Sequence, residues 1–212
     1  MAFEVNTSSA GGKSLGSSFQ DRDRENAEDL VLFREFAAGL AAGPAGVRQA
    51  REAYTKIYLR YREKVYAYCL RVVANEQDAQ DLFQDVFYRV YTRASSFENE
   101  KSLGGWIFTI AHNLCLNKIR DRKPLTDLEE YQLSAMPPED YGEDWQARIE
   151  WALAQLPVDH REALVLREYN GLSYAEITEV LHSTIPAVKS RIYRAKERLR
   201  ELLAPFYNED TP

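Results

Sequence analysis

A chain of 212 residues has room for one or two domains, and an apolar fraction of 45% is enough to fill their cores. The formal charge of −6, from 27 Lys and Arg against 33 Asp and Glu, argues against a protein that coats nucleic acid indiscriminately. No run of about 18 apolar residues occurs, so no membrane-spanning helix is expected; residues 1–20 lack the basic-then-apolar order of a signal peptide, and a cytoplasmic chain is the expectation.

Residues 1–26 open the chain with a Ser- and Gly-containing extension for which disorder is expected. Its Gly12-Lys13-Ser14 mimics the end of a phosphate-binding loop, but Thr7 stands where the first Gly belongs and no strand precedes it. Residues 27–42 follow with Leu30, Phe33, Ala37, Leu40 and Ala41 on one helical face, and Gly43-Pro44-Ala45-Gly46 breaks that helix. A long helix over 48–74 carries the stripe Tyr54, Ile57, Tyr58, Tyr61, Val65, Tyr68 and Cys69 and is read as core. Asn75 and its neighbours cap a helix over 76–93, whose inward face is Ala79, Leu82, Phe83, Val86, Phe87 and Val90. Its outward face is acidic, with Asp78, Asp81, Gln84 and Asp85. A polar loop, 94–103, leads to a helix that opens at Gly104-Gly105-Trp106 and ends near Arg122 with a basic tail.

Residues 124–147 contain seven acids and no Lys or Arg, and include Pro137-Pro138, so they read as a flexible acidic linker. Beyond it, Ser173 and Glu176 have capping-box spacing, His182-Ser183-Thr184 form a turn, and Thr184 can cap a second helix with Pro186 in its first turn. Between Ile185 and Arg200 stand six Lys or Arg and one acid, Glu197. Val188, Ile192, Ala195 and Leu199 make the inward stripe of that helix, leaving Lys189, Ser190, Arg191, Arg194 and Arg198 outside it. A concentrated basic face on the second helix of a helix-turn-helix suits insertion into a DNA major groove. No alternating strand pattern appears, so the fold class is all-α: two helical domains, 27–123 and 148–204, joined by the linker and followed by a short tail, 205–212.

Three stretches carry a resemblance. Asp78-Ala-Gln-Asp-Leu-Phe-Gln-Asp-Val-Phe87, Trp106-Ile-Phe-Thr-Ile-Ala-His-Asn-Leu-Cys-Leu-Asn-Lys-Ile-Arg120 and Leu156-Pro-Val-Asp-His-Arg-Glu-Ala-Leu-Val-Leu-Arg-Glu168, the last followed by Gly171-Leu-Ser-Tyr174, resemble bacterial RNA polymerase sigma factors of the extracytoplasmic-function type. The resemblance covers residues 27–122 and 148–203. It implies a first domain (sigma region 2) that docks on the β′ clamp of core polymerase through Asp78, Asp81, Leu82, Gln84 and Asp85. It implies that the loop 95–102 captures a flipped base of the −10 element, with Phe97 as a stacking ring and Glu98, Asn99 and Ser102 as polar edges. Asn113, Asn117, Lys118, Arg120 and Arg122 would grip the strand on the following helix. The second domain (sigma region 4) would meet the β flap and read the −35 element through Ser183, Thr184, Lys189, Ser190, Arg191, Arg194 and Arg198.

The same resemblance implies a tether threaded into the polymerase channel and an anti-sigma partner. Three departures from the family pattern are visible: Gly104-Gly105 before Trp106, His182 in place of a turn Gly, and Pro186-Ala187 in place of Gly-Thr. Residues 1–26 have no clear counterpart in the family, and Gly39–Val47 reads as a lengthened connection; either could meet an inhibitor, or both could be inert surface.

A rival reading is a helix-turn-helix regulator that works without polymerase; it leaves the acidic 78–87 helix unexplained. An enzyme is not expected: three His, two Cys and scattered acids form no recognisable constellation, and no cofactor is called for. His112 and Cys115 share a helix face, but no metal site can be assembled from two ligands. A helical anti-sigma protein is disfavoured by the basic helix and the complete two-domain pattern.

Overall fold

The structure is a computed structural model and describes residues 17–97, 102–121 and 144–207. Among these every regular element is helical: α1 (Ser17–Ala41), α2 (Val47–Val73), α3 (Glu76–Thr92), α4 (Leu103–Asp121), α5 (Trp145–Ala154), α6 (Val158–Glu168), α7 (Tyr174–Val180) and α8 (Ile185–Tyr207). Among the described residues no helix is long and apolar enough to cross a membrane.

The amino-terminal bundle is α1 to α4. Helix α1 starts ten residues before the position that periodicity suggests. Its partner α2 is held to it by a buried carboxylate: Asp29 accepts from Tyr61 Oη and pairs with Arg60. The corner between the two helices corrects one expectation. Gly43–Gly46 is a 3-10 turn, not a long connection. A Cβ on Gly46 would lie 2.2 Å from the Gly39 carbonyl oxygen, and one on Gly39 would lie 2.6 Å from the Ala50 nitrogen. The backbones of α1 and α2 therefore touch here, and only glycine fits at either point.

Helix α2 ends at Ala74, in the left-handed region at φ 51°, and Asn75 caps α3 by accepting from the Asp78 amide at 2.9 Å. The acidic first turn of α3 suits the positive end of its dipole. The expected stripe is in the core, with Ile57, Val65, Tyr68, Cys69 and Val86 fully buried. Rings of Phe33, Phe36, Tyr54, Tyr91, Phe97 and Trp106 pack edge-on or tilted at one end of the bundle.

The carboxy-terminal unit is α5 to α8. Asp144 caps α5 by accepting from the Gln146 amide at 2.9 Å, so this unit starts at Trp145, inside the stretch read as linker. The predicted capping box is present: the Ser173 hydroxyl accepts from the Glu176 amide at 3.2 Å, and the Glu176 carboxylate accepts from the Ser173 amide at 2.8 Å. His182 takes φ 47°, which explains why a glycine would suit this turn. Thr184 then accepts from the Ala187 amide at 3.4 Å to start α8. Ile177, Val180, Val188, Ile192 and Ala195 are buried and fix α7 against α8. This unit lies against the bundle, with α6 on α2 and α7 on α4.

Candidate nucleic-acid and polymerase interface

Helix α3 separates its two faces cleanly. Ala79, Leu82, Val86, Phe87 and Val90 are buried. Asp81, Gln84 and Asp85 are exposed, together with Gln77, Gln80 and Tyr88. Leu82 is 5% exposed and anchors the helix rather than reaching outward, which removes it from the docking residues. Asp78 is half-buried and forms an ion pair with Lys118 of α4 at 2.9 Å. Two groups read separately, one for polymerase and one for the −10 strand, therefore meet in one contact. Tyr88 is 69% exposed on the outer face, and the charge pattern of the helix does not mark it.

At the loop before α4, Phe97 corrects another expectation. It is 9% exposed, 4.5 Å from the Phe33 ring and 5.3 Å from the Trp106 ring, so its faces are taken up inside the bundle rather than open to a stacked base. Ser102 is the cap of α4, accepting from the Gly105 amide at 3.1 Å. Glu98, Asn99 and Arg122 lie outside the described residues. Asn113, Asn117 and Arg120 are exposed on α4; Asn113 donates to the Thr109 carbonyl and Arg120 donates to Asn117. Among the described residues no cluster of three or more His, Cys, Asp or Glu could hold a metal ion.

The basic face of α8 is displayed as its stripe predicts. Lys189, Ser190, Arg194 and Arg198 are exposed. Arg191 is partly held, 3.4 Å from Asp159 of α6, and Lys189 Nζ sits 5.4 Å from the centre of the Tyr174 ring. Lys196 pairs with Glu168 at 2.8 Å and Arg198 with Glu201 at 2.8 Å. Ser183 and Thr184 are used in the turn and cap, their remaining surface facing outward beside the first turn of α8. Tyr193 is 61% exposed in the middle of the basic face, and the charge pattern of the helix does not mark it. An exposed ring among cations can meet a thymine methyl or a sugar face.

Comparison with known proteins agrees with this geometry. The sigma-70 region 2 family model matches residues 57–124, and the sigma-70 region 4 model matches residues 146–199. The ECF RNA polymerase sigma factor SigW of Bacillus subtilis is 30% identical over 168 residues, covering 72% of this chain and 90% of the relative. The ECF RNA polymerase sigma-E factor of Escherichia coli is 28% identical over 171 residues, covering 74% and 89%. Among solved structures, the sigma factor RpoE from Bartonella quintana, in complex with the anti-sigma factor NepR, superposes with a TM-score of 0.59 at 28% identity, covering 71% of this chain and 96% of that one. With its capped helix-turn-helix, the acidic outer face of α3 and these relatives along most of its length, the chain belongs to the sigma-70 family as an RNA polymerase sigma factor of the extracytoplasmic-function type, which binds the core enzyme and directs it to promoters.

Proposed function

We propose that the two units divide promoter recognition between them, and that each does so through the exposed face described above. The amino-terminal bundle docks on the polymerase clamp with Asp81, Gln84 and Asp85, while Asp78 keeps α4 in register through Lys118. A carboxylate-rich face steers association with a basic surface and falls in strength with salt. The loop 95–102 and α4 handle the −10 element, with Glu98 and Asn99 as base-reading edges, Ser102 at the helix cap, and Asn113, Asn117, Lys118, Arg120 and Arg122 on the strand. The carboxy-terminal unit meets the flap and reads the −35 element through Ser183, Thr184, Lys189, Ser190, Arg191, Arg194 and Arg198. The acidic stretch 124–143 tethers the units, so that gripping both elements is bivalent.

The observation that carries this reading is the pair of opposed faces in one chain, acidic on α3 and basic on α8. The chain has no catalytic role of its own and works where polymerase does, in the cytoplasm. An anti-sigma protein is a further partner, as for the RpoE to which the chain is similar.

The test is binding of purified core polymerase to the chain and to Asp81→Arg with Asp85→Arg. Nanomolar binding that falls at least tenfold on charge reversal is expected. Tight duplex binding with no affinity for core polymerase would instead favour a helix-turn-helix regulator that acts alone.

A further inference from the structure

The Gly104-Gly105 pair at the start of α4 departs from the family pattern, and the packing beneath it accounts for the first of the two. A Cβ on Gly104 would lie 3.2 Å from Tyr61 Oη, closer than an ordinary contact. That hydroxyl is not free to swing aside. It donates to Asp29 of α1, which is 3% exposed and also pairs with Arg60. A side chain at 104 would therefore push the first turn of α4 outward. The same turn is capped by Ser102, whose hydroxyl accepts from the Gly105 amide at 3.1 Å and whose carbonyl accepts from the Trp106 amide at 3.0 Å.

The other end of the loop rests on the same helix. Phe33 follows Asp29 by four residues on one face of α1 and is buried. Its ring lies 4.5 Å from that of Phe97 and 5.4 Å from that of Trp106. Phe97 closes the 3-10 turn Ala94–Ser96, donating its amide to the Ala94 carbonyl at 3.4 Å. Both ends of the loop thus meet one helical face. The spacing of the two anchors is set by a single turn of α1, about 5–6 Å between Cβ atoms at such positions.

Two features of this arrangement run against stability alone. A buried carboxylate is a poor way to join helices, since apolar residues of similar volume usually do as well or better. Glycine in a helix gives up more conformational entropy than alanine would. Both stand beneath the loop assigned above to the −10 element. Extruding a base from its stack is unfavourable, and the contacts that offset it must be placed to within about 0.5 Å. A loop whose ends are already fixed loses less freedom on closing around a base.

We propose that α1 is the brace of the −10 loop, and that Phe33 and Tyr61 are positioning residues for base capture. Phe33 holds Phe97 where the loop begins. The Asp29–Tyr61 pair holds the first turn of α4 where it ends, and residue 104 is glycine because the Tyr61 hydroxyl occupies the room of a Cβ. This rests on the assignment of residues 95–102 to the −10 strand made above.

The experiment reads base preference in the holoenzyme, formed from core polymerase and the full-length chain. The probe is a pool of short single-stranded DNAs randomised over the −10 region. The parent should enrich one motif. Gly104→Ala and Phe33→Leu should bind core polymerase as the parent does, yet lower the affinity ratio between that motif and its single-base variants by about fivefold or more, the low end of what one base contact discriminates. In a Tyr61→Phe background, where nothing lies nearer to the Gly104 Cβ position than 3.5 Å, adding Gly104→Ala should change the ratio less than about twofold. Gly46→Ala, which strains the α1–α2 corner instead, is the control for general loosening and should leave the ratio unchanged. If Gly104→Ala does not fold, Phe33→Leu decides. Unchanged preference in the folded variants would overturn the proposal, as would an equal loss in Gly46→Ala or an equal effect of Gly104→Ala in both backgrounds. A parent holoenzyme that enriches no motif would sink the −10 assignment itself, and the brace with it.

Discussion

At the scale of single residues, the basic face of α8 is not uniformly available. Arg191 is held 3.4 Å from Asp159, whereas Arg194 is exposed one turn along. An exposed ion pair of this kind is worth about 0.2–1 kcal/mol, so Asp159 restrains Arg191 only weakly, yet it also places a negative charge beside the path of the phosphates. Asp159→Ala should therefore raise affinity for a −35 duplex by roughly 1.4- to fivefold, the ratio that such an energy corresponds to. Arg194→Ala should lower that affinity and reduce the slope of log affinity against log salt by about one if the side chain contacts a phosphate. Titration of both variants across a salt series checks the pair. Loss of affinity in Asp159→Ala would mean that the carboxylate orients Arg191 instead of diverting it. Which residues face outward on α8 was legible from the spacing of Val188, Ile192, Ala195 and Leu199. Which of them are engaged was not, because Asp159 lies on another helix and nothing in its neighbourhood of the sequence marks it as a partner.

At the scale of elements, most of the helices can be read from periodicity and caps, because both are local: the Asn75 cap, the Ser173–Glu176 box and the Thr184 cap all connect residues within one turn. Close approach between helices is not local, and the spacing of residues along Gly39–Val47 does not reveal it. The same residue type does two different things in this chain. Gly39 and Gly46 stand where α1 and α2 touch backbone to backbone, and neither neighbour is a side chain that can swing away. Gly39→Ala or Gly46→Ala should each destabilise the bundle by about 1–3 kcal/mol, as overpacking of a tight contact does. Gly105, inside α4, has its nearest neighbours at 3.7 Å, an ordinary contact. Gly105→Ala should be stabilising by about 0.5–1 kcal/mol through reduced unfolded-state entropy and better helix propensity. Urea unfolding of the three variants would show opposite signs. A neutral Gly46→Ala would mean that the α1–α2 corner is looser than its geometry.

At the scale of the whole molecule, each unit could be outlined from the sequence, but their packing against each other could not. Glu162 reads there as an ordinary polar position on a short helix, and its partners Tyr68 and His112 read as an aromatic core residue and a lone histidine. Only the fold brings them to one oxygen, and it brings further phenols into places where ionisation is resisted. Tyr61 is pushed well above its ordinary range by burial and then by the Asp29 carboxylate. Tyr68 is pushed up by burial and then by Glu162. Tyr54 is pushed up to about 12 by burial and by the neighbouring Tyr58 and Tyr91 hydroxyls. All three hold their protons longer in the folded chain than in the unfolded one, whose phenols ionise near pH 10. Their contribution to stability is thus complete below about pH 10 and is lost as pH rises toward the folded-state values, at up to about 1.4 kcal/mol per pH unit for the buried Tyr61 and Tyr68 and less for the partly exposed Tyr54. Lysines also titrate in this window, so the informative quantity is the difference between the parent and a phenylalanine variant. Between pH 9 and pH 11 the parent should lose more stability in urea unfolding than Tyr61→Phe or Tyr68→Phe, each of which lacks one ionisable phenol. The sensitivity that Tyr68→Phe lacks belongs to the contact between α2 and α6, because in the parent a Tyr68 phenolate would face the Glu162 carboxylate across 2.9 Å. An identical decline in all three chains would mean that these phenols reach water in the folded state.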